Sequence, residues 1–237
     1  MNRRAEMKII TVIQARMLSQ RLPGKVLMPL SGRPMLLHVL NQVERCEMID
    51  AVVVSTSNDA SDKPVAAFCD SRGTSCYTGP LDNVAQRLME TIECFDADAI
   101  VRISGDSPCI DFRLIDQCVS KFRSGTWDVV TNVRPRSFPT GHSVEVFSAN
   151  ALRSAMGAIV ESFDQEHVGP FFYVRPEQYR IFNVTGHPNC NGLRFTIDTV
   201  EDFEIITKFL ASLAQPLWTY DVYAMCDHMQ AVLKETV

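Results

Sequence analysis

The sequence predicts a three-layer α/β fold on a mostly parallel, mixed sheet, from three observations. Short apolar runs alternate with segments whose apolar residues recur every three or four positions, the pattern of strands buried on both faces and helices buried on one. The first run, Lys8 to Ile13, is rich in β-branched residues and leads straight into a loop carrying two arginines and a lysine. Hydrophobic residues make up 46% of the 237 positions, which supplies a sizeable core in a chain at the upper end of single-domain length.

The elements follow in order. After the strand Lys8–Ile13 come a helix near Met35–Cys46, a strand at Ala51–Ser55, a helix near Lys63–Ser71 and a strand at Ser75–Tyr77. Val84, Leu88, Ile92 and Phe95 mark a helix over Leu81–Cys94, followed by a strand at Ala99–Ile103 and a helix at Phe112–Phe122. Such alternation covers both faces of a parallel sheet with helices. After Trp127–Thr131 the pattern changes: Pro135, Pro139 and Gly141 interrupt it, and His142–Phe147 alternates like a half-exposed strand. Ser148 or Asn150 can cap a helix near Ala151–Ala158, another helix falls between Asp164 and Tyr173, and strands are expected at Tyr179–Val184 and Leu193–Ile197. Thr199 caps a helix through Leu213, with Glu201 and Asp202 at the favourable end of its dipole, and an amphipathic helix spans Val222–Leu233. Residues 1–237 read as one domain in which 132–192 form a lobe over the sheet.

A net charge of −5 disfavours nucleic acid and anionic membranes as partners, so any phosphate site must be local. No apolar run reaches about eighteen residues, and none follows Arg3 and Arg4, so neither a membrane span nor a signal peptide is expected and the location reads as cytoplasmic. The eight cysteines are scattered, without a CxxC pair, and read as reduced core thiols. Asn183-Val184-Thr185 is a chance glycosylation sequon.

The loop Gln14–Leu27 lies where open α/β sheets bind ligands, beyond the carboxyl end of a strand, and its Arg16, Arg21 and Lys25 suit a polyphosphate. It is not a Walker loop, because position 19 is Ser and Val26 follows Gly24-Lys25; a solvated basic loop is the alternative. Asp106 follows the strand Ala99–Ile103, with Gly105 permitting close backbone approach, unless it merely caps the next helix. Asp198 sits before another helix, where Thr199 would make it a redundant cap. Two acids ending two strands can share one magnesium ion, whose other ligands come from phosphates and water. Arg194 can pair with a carboxylate of the protein or of a ligand. Asp82 near a helix start is open between structural and binding roles, as is His167 beside Glu166 between an interface histidine and a base. No Ser-His-Asp order or nucleophile elbow is visible.

These segments resemble the spore coat polysaccharide biosynthesis type of cytidylyltransferase, related to acylneuraminate and 3-deoxy-manno-octulosonate cytidylyltransferases. The resemblance rests on Gln14-Ala15-Arg16 through Arg21-Leu22-Pro23-Gly24-Lys25-Val26-Leu27, on Asp82–Arg87, Val101–Pro108, Pro139–Phe147, Glu166-His167-Val168 and Leu193–Asp202. It implies a nucleotide-diphospho-sugar transferase (Rossmann-like) fold, CTP as substrate, magnesium as cofactor, and a homodimer formed through the lobe. It implies nucleotide binding by Gln14, Ala15, Arg16, Ser19, Arg21, Lys25, Asp82 and Ser104, with Arg16, Lys25 and Asp106 catalytic. Asp106 and Asp198 match the metal pair, and Arg194, Glu145 and His167 fall to the acceptor. The chain departs from the pattern at Ser104, where octulosonate enzymes carry Gln, at Gln165, where Arg is usual, and at Gln20. The reaction implied is attack of an acidic sugar's hydroxyl on the α-phosphate of CTP with loss of pyrophosphate. Rival readings are a glycosyltransferase, which would want an Asp-x-Asp pair such as Asp96-Ala97-Asp98 but at the other sheet edge, and an inactive nucleotide-binding scaffold.

Overall fold

The computed structural model describes residues 7–186, 190 and 192–235, so Arg3 and Arg4 lie outside the described residues. Strand β1 is Ile9–Gln14, a small hairpin pairs β2 (Pro29–Leu30) with β3 (Arg33–Pro34), and β4 (Ala51–Ser57) and β5 (Ser75–Gly79) follow. The remaining strands are β6 (Ala99–Ser104), β7 (Val129–Thr131), β8 (Glu145–Ser148) and β9 (Ile181–Asn183). One sheet takes the order β5-β4-β1-β6-β8-β7-β9, parallel except that β8 runs antiparallel to both neighbours.

Burial follows the two-residue period of a strand: Ile9 and Ile13 face one hydrophobic cluster, Ile10 and Val12 the other. The first cluster is closed by α1 (Met35–Val43), α2 (Lys63–Arg72), α4 (Phe112–Arg123), α8 (Val200–Ser212) and α9 (Val222–Glu235). The second is closed by α3 (Val84–Phe95), α5 (Ala149–Ala155) and α7 (Gly169–Tyr173), while α6 (Ser162–His167) buries none of its residues. In register, Gln14 pairs with Ser55 on one side and Ser104 on the other, so β1 and β6 end level while β4 runs on to Ser57. That shared carboxyl edge is where the site is built. Among the described residues no helix is long and apolar enough to cross a membrane.

The structure corrects four expectations. His142–Phe147 is not half-exposed: Glu145, Val146 and Phe147 are buried because β7 pairs with the far edge of β8. The expected strand Leu193–Ile197 shortens to a single bridge between Thr140 and Arg194, since Gly141 takes a left-handed turn at φ 102° and the partner segment cannot continue. The helix between Asp164 and Tyr173 is two helices, broken at Val168 (φ 58°), where Gly169 and Pro170 restart it; proline has no N–H to extend the earlier ladder. The helix expected from Leu81 begins at Val84, capped by the Asn83 side chain on the Gln86 amide.

Candidate active site

The cationic loop is held from beneath. Gly105 N–H donates to the Gln14 carbonyl at 2.8 Å, and a Cβ at Gly105 would lie 2.7 Å from that oxygen and 3.0 Å from the Ala15 Cβ, so only glycine lets the ends of β1 and β6 approach this closely. Buried Asp62 accepts from the Met17 amide at 2.6 Å and from the Ser57 amide at 3.2 Å, anchoring the loop's first turn. Gly24 closes the loop with a bond to the Met17 carbonyl at 2.8 Å and a φ of 76°, which turns the chain into the short 3-10 segment Lys25–Leu27.

Lys25, only 7% exposed, is thereby aimed inward. Its ammonium donates to Asp106 Oδ2 at 2.9 Å, to Asp198 Oδ1 at 2.8 Å and to the Ile197 carbonyl at 2.8 Å. All three of its donors are engaged. Asp106 is oriented by the hydroxyls of Ser104 at 2.6 Å and Ser107 at 3.3 Å. Asp198 also meets Arg21 at 3.1 Å and Arg194 at 3.2 Å. Burial alone would push the Asp198 carboxyl up, but bonding to Lys25 and the charges of Lys25, Arg21 and Arg194 outweigh it and hold the group below the usual carboxylate range.

Neither acid is spent on a helix cap. Asp111 caps α4 by accepting from the Arg113 amide, and Thr199 with Asp202 forms a capping box on α8. Both carboxylates instead face a cavity of about 780 Å3. Two acids sharing one ammonium are a donor set that also fits a hard divalent cation. Among the described residues no third His, Cys, Asp or Glu joins them, so phosphates and water would complete its shell.

The cavity brings together Gln14, Ala15, Arg16, Ser19, Arg21, Lys25, Ser104, Asp106, Asp198 and His167. Arg194 reaches it through Asp198. Asp82 does not line it: the residue is exposed beyond the α3 cap, and Val84 and Arg87 of that helix occupy the wall instead. Arg16 spans the mouth to Glu166 of α6 at 2.8 Å. Glu145 lines an adjoining cavity of about 410 Å3, which shares Gln14, Arg102, Ser104 and His167 with the first.

Four residues were given no role from sequence. Arg102 donates through Nε to Gln14 Oε1 and through Nη1 to Glu145 Oε2 at 2.7 Å and the His167 carbonyl at 2.9 Å. Tyr173 donates its hydroxyl to Glu145 Oε1. This chain of bonds turns the Gln14 carbonyl toward Arg102, and among the described residues its amide group meets no hydrogen-bond partner. Buried Arg87 donates to the Pro80 carbonyl at 2.6 Å while its Nε finds no partner among the described residues. Arg136 lines the second cavity, donates to Ser143 Oγ at 3.0 Å and forms no ion pair among the described residues. The signal for Arg102 and Arg87 was a cation on an otherwise apolar strand or helix stripe. At the opposite sheet edge, Asp98 accepts from the Lys8 amide at 2.7 Å, and Asp96 ends α3, so the Asp-x-Asp spelling is structural.

The cytidylyltransferase family model matches residues 10–232. The chain is 33% identical over 201 residues to an uncharacterized protein of Methanocaldococcus jannaschii, covering 84% of this chain and 82% of that one. It is 32% identical over 208 residues to the spore coat polysaccharide biosynthesis protein SpsF of Bacillus subtilis, covering 84% of each. A solved cytidylyltransferase structure from Leptospira borgpetersenii superposes with a TM-score of 0.88 at 26% identity, over 98% of this chain and 96% of that one. A CMP:2-keto-3-deoxy-manno-octonic acid synthetase complexed with CTP, at 20% identity and a TM-score of 0.65 over 86% of this chain and 98% of the other, shares the fold. The nucleotide-diphospho-sugar transferase fold is thus the one observed, and the chain belongs to the cytidylyltransferase family.

Proposed function

We propose that this protein transfers CMP from CTP to an acidic sugar, releasing pyrophosphate, to supply precursors for a surface polysaccharide or glycoconjugate. The observation that carries the reading is the convergence of Asp106 and Asp198 on Lys25 beneath a cationic loop at the carboxyl edge of the sheet. The names of SpsF and of a 3-deoxy-manno-octulosonate cytidylyltransferase of Trichlorobacter lovleyi, 35% identical over 49% of this chain, support the substrate class.

In the reaction the acceptor hydroxyl oxygen bonds to the α-phosphorus, the bridge to the β-phosphate breaks, and pyrophosphate leaves with the bonding electrons while the hydroxyl proton passes to solvent. Magnesium, held by Asp106 and Asp198 when bound, supplies charge neutralisation at the phosphates and lowers the pKa of the attacking hydroxyl. Arg16 and Arg21 hold the triphosphate and Lys25 offsets charge on the leaving group, which requires Lys25 to exchange at least one of its present bonds. Gln14, Ala15, Ser19 and Ser104 line the nucleotide. Arg136, which lines the adjoining cavity and forms no ion pair among the described residues, takes the acceptor's carboxylate, and Glu145, fixing Arg102, shapes that pocket beside His167. The segment 132–192 serves as lid and homodimer surface, in keeping with the exposed apolar side chains Val160, Phe163 and Val174.

The test is a pyrophosphate-release screen of the four nucleoside triphosphates against keto-sugar acids and neutral sugar phosphates, with and without magnesium. Release confined to CTP, an acidic sugar and magnesium is expected. Nucleoside diphosphate release from a nucleotide sugar would point to a glycosyltransferase, and CTP binding without pyrophosphate release on any acceptor would point to a scaffold.

A further inference from the structure

Arg87 is a buried cation to which the proposed reaction gives no task. It is 3% exposed, lines the nucleotide cavity and forms no ion pair among the described residues. Its Nη1 donates to the Pro80 carbonyl at 2.6 Å and the Leu81 carbonyl at 3.4 Å, and its Nε is shut in without a partner. Nη2 bonds to none of the described residues either, yet burial does not close it off as it does Nε. Nη2 is therefore the edge by which the guanidinium meets the cavity. Gly79 makes room for the stem, since a Cβ there would lie 3.0 Å from Arg87 Cγ.

The cavity crosses the carboxyl edge of the sheet. Val26, beside Lys25, packs into the first hydrophobic cluster, and Val84 of α3 packs into the second, on the opposite face. With the phosphates and metal held by Arg16, Arg21, Lys25 and the two acids, the α3 end is left for the heterocycle. There Val84 offers an apolar side and Arg87 offers donors only, because a guanidinium accepts no hydrogen bond. Burial pulls the pKa of Arg87 down, but a guanidinium keeps its proton in a protein, so the donor character is permanent.

We infer that Arg87 sets the choice of pyrimidine, donating from Nη2 to the ring N3 of cytosine; the inference rests on CTP being the substrate. In cytosine that ring nitrogen is a bare acceptor, whereas in uracil it carries a hydrogen. Uracil would set N–H against N–H in a buried place and leave both donors unpaired, a cost that only a desolvated site imposes. Arg87 cannot swing aside to admit it, because Nη1 is tied to the Pro80 and Leu81 carbonyls and the stem packs against Gly79.

The test compares CTP with 3-deazacytidine triphosphate, in which C–H replaces the ring N3 while the amino group, the carbonyl and the triphosphate are kept. Both are titrated with magnesium into the wild type and Arg87→Met, and into Arg87→Lys, which keeps a charge but not Nη2, in case the first variant does not fold. The analogue should bind the wild type about ten- to a hundredfold more weakly than CTP, the worth of one charge-assisted bond, and the variants should bind the two alike. Equal affinities in the wild type would overturn the assignment whatever the variants do. So would a folded variant that keeps the preference, since a loss equal for both ligands places Arg87 against the phosphates. Failure of the wild type to bind CTP would sink the proposed reaction and this inference with it, whereas CTP binding without preference over the analogue sinks this inference alone.

Discussion

The two edges of the central sheet carry the same kinds of residue and use them differently. At the amino edge, Asp98 accepts the Lys8 amide and Asp50 accepts the Ile9 amide at 2.6 Å, with Arg123 alongside at 3.3 Å. Those carboxylates satisfy the unpaired starts of strands, a purely structural task. At the carboxyl edge, Asp106 and Asp198 are held by the movable side chains of lysine and arginine and by hydroxyls, and they face a large cavity. A carboxylate bound to fixed backbone cannot change partners, whereas one bound to side-chain cations can release them to a phosphate or accept a metal in their place. The difference lies in what the acid is bonded to.

The largest effect that would break this comparison concerns Lys25. Lys25→Ala should lower kcat/KM by about a hundredfold, the loss typical of one preorganised charged donor, or about 3 kcal/mol, while circular dichroism stays native. Its counterpart, Asp98→Asn, should leave turnover intact and reduce unfolding free energy by about 1 kcal/mol in denaturant melts. Equal loss of activity in both would erase the distinction between the edges.

The comparison is sharpened within the carboxyl edge by Arg136→Ala. Loss of a charge-assisted bond worth about 1.5–3 kcal/mol should raise the acceptor KM by roughly ten- to a hundredfold and leave the CTP KM unchanged in steady-state assays. A matching rise in the CTP KM would move Arg136 to the nucleotide.

A smaller effect comes from His142, fully buried, where it accepts the Asp111 amide at 3.3 Å. Burial lowers its pKa to about 3. Between that value and the ordinary 6.5 the unfolded chain binds a proton that the folded chain does not, so stability falls as pH drops through this window. Thermal melts from pH 7 to pH 4 should show the decline, and His142→Asn should flatten it.

Much of this was legible in the sequence where one residue type has one use. A β-branched run before a basic loop placed β1 and the lysine, and Gly105 was readable because only glycine tolerates the approach of two strand ends. Asp198 could be set apart from a cap because Thr199 stood beside it, whereas Asp106 stayed open until the structure gave the cap of α4 to Asp111. Asp62 was missed, since a buried aspartate holding a loop's backbone looks in sequence like any turn residue. The burial of β8 was misread because pairing partners, unlike alternation, are set by segments far away in the chain. Asp82 was favoured over Arg87 because the helix was expected to start at Leu81, three residues before α3 begins.

Calorimetric titration of CTP with and without magnesium, on the wild type and on an Asp106→Asn/Asp198→Asn variant, tests the central claim most directly and needs no acceptor. The account predicts that magnesium strengthens CTP binding in the wild type and has no such effect in the variant. Binding that responds equally to magnesium in both would contradict it.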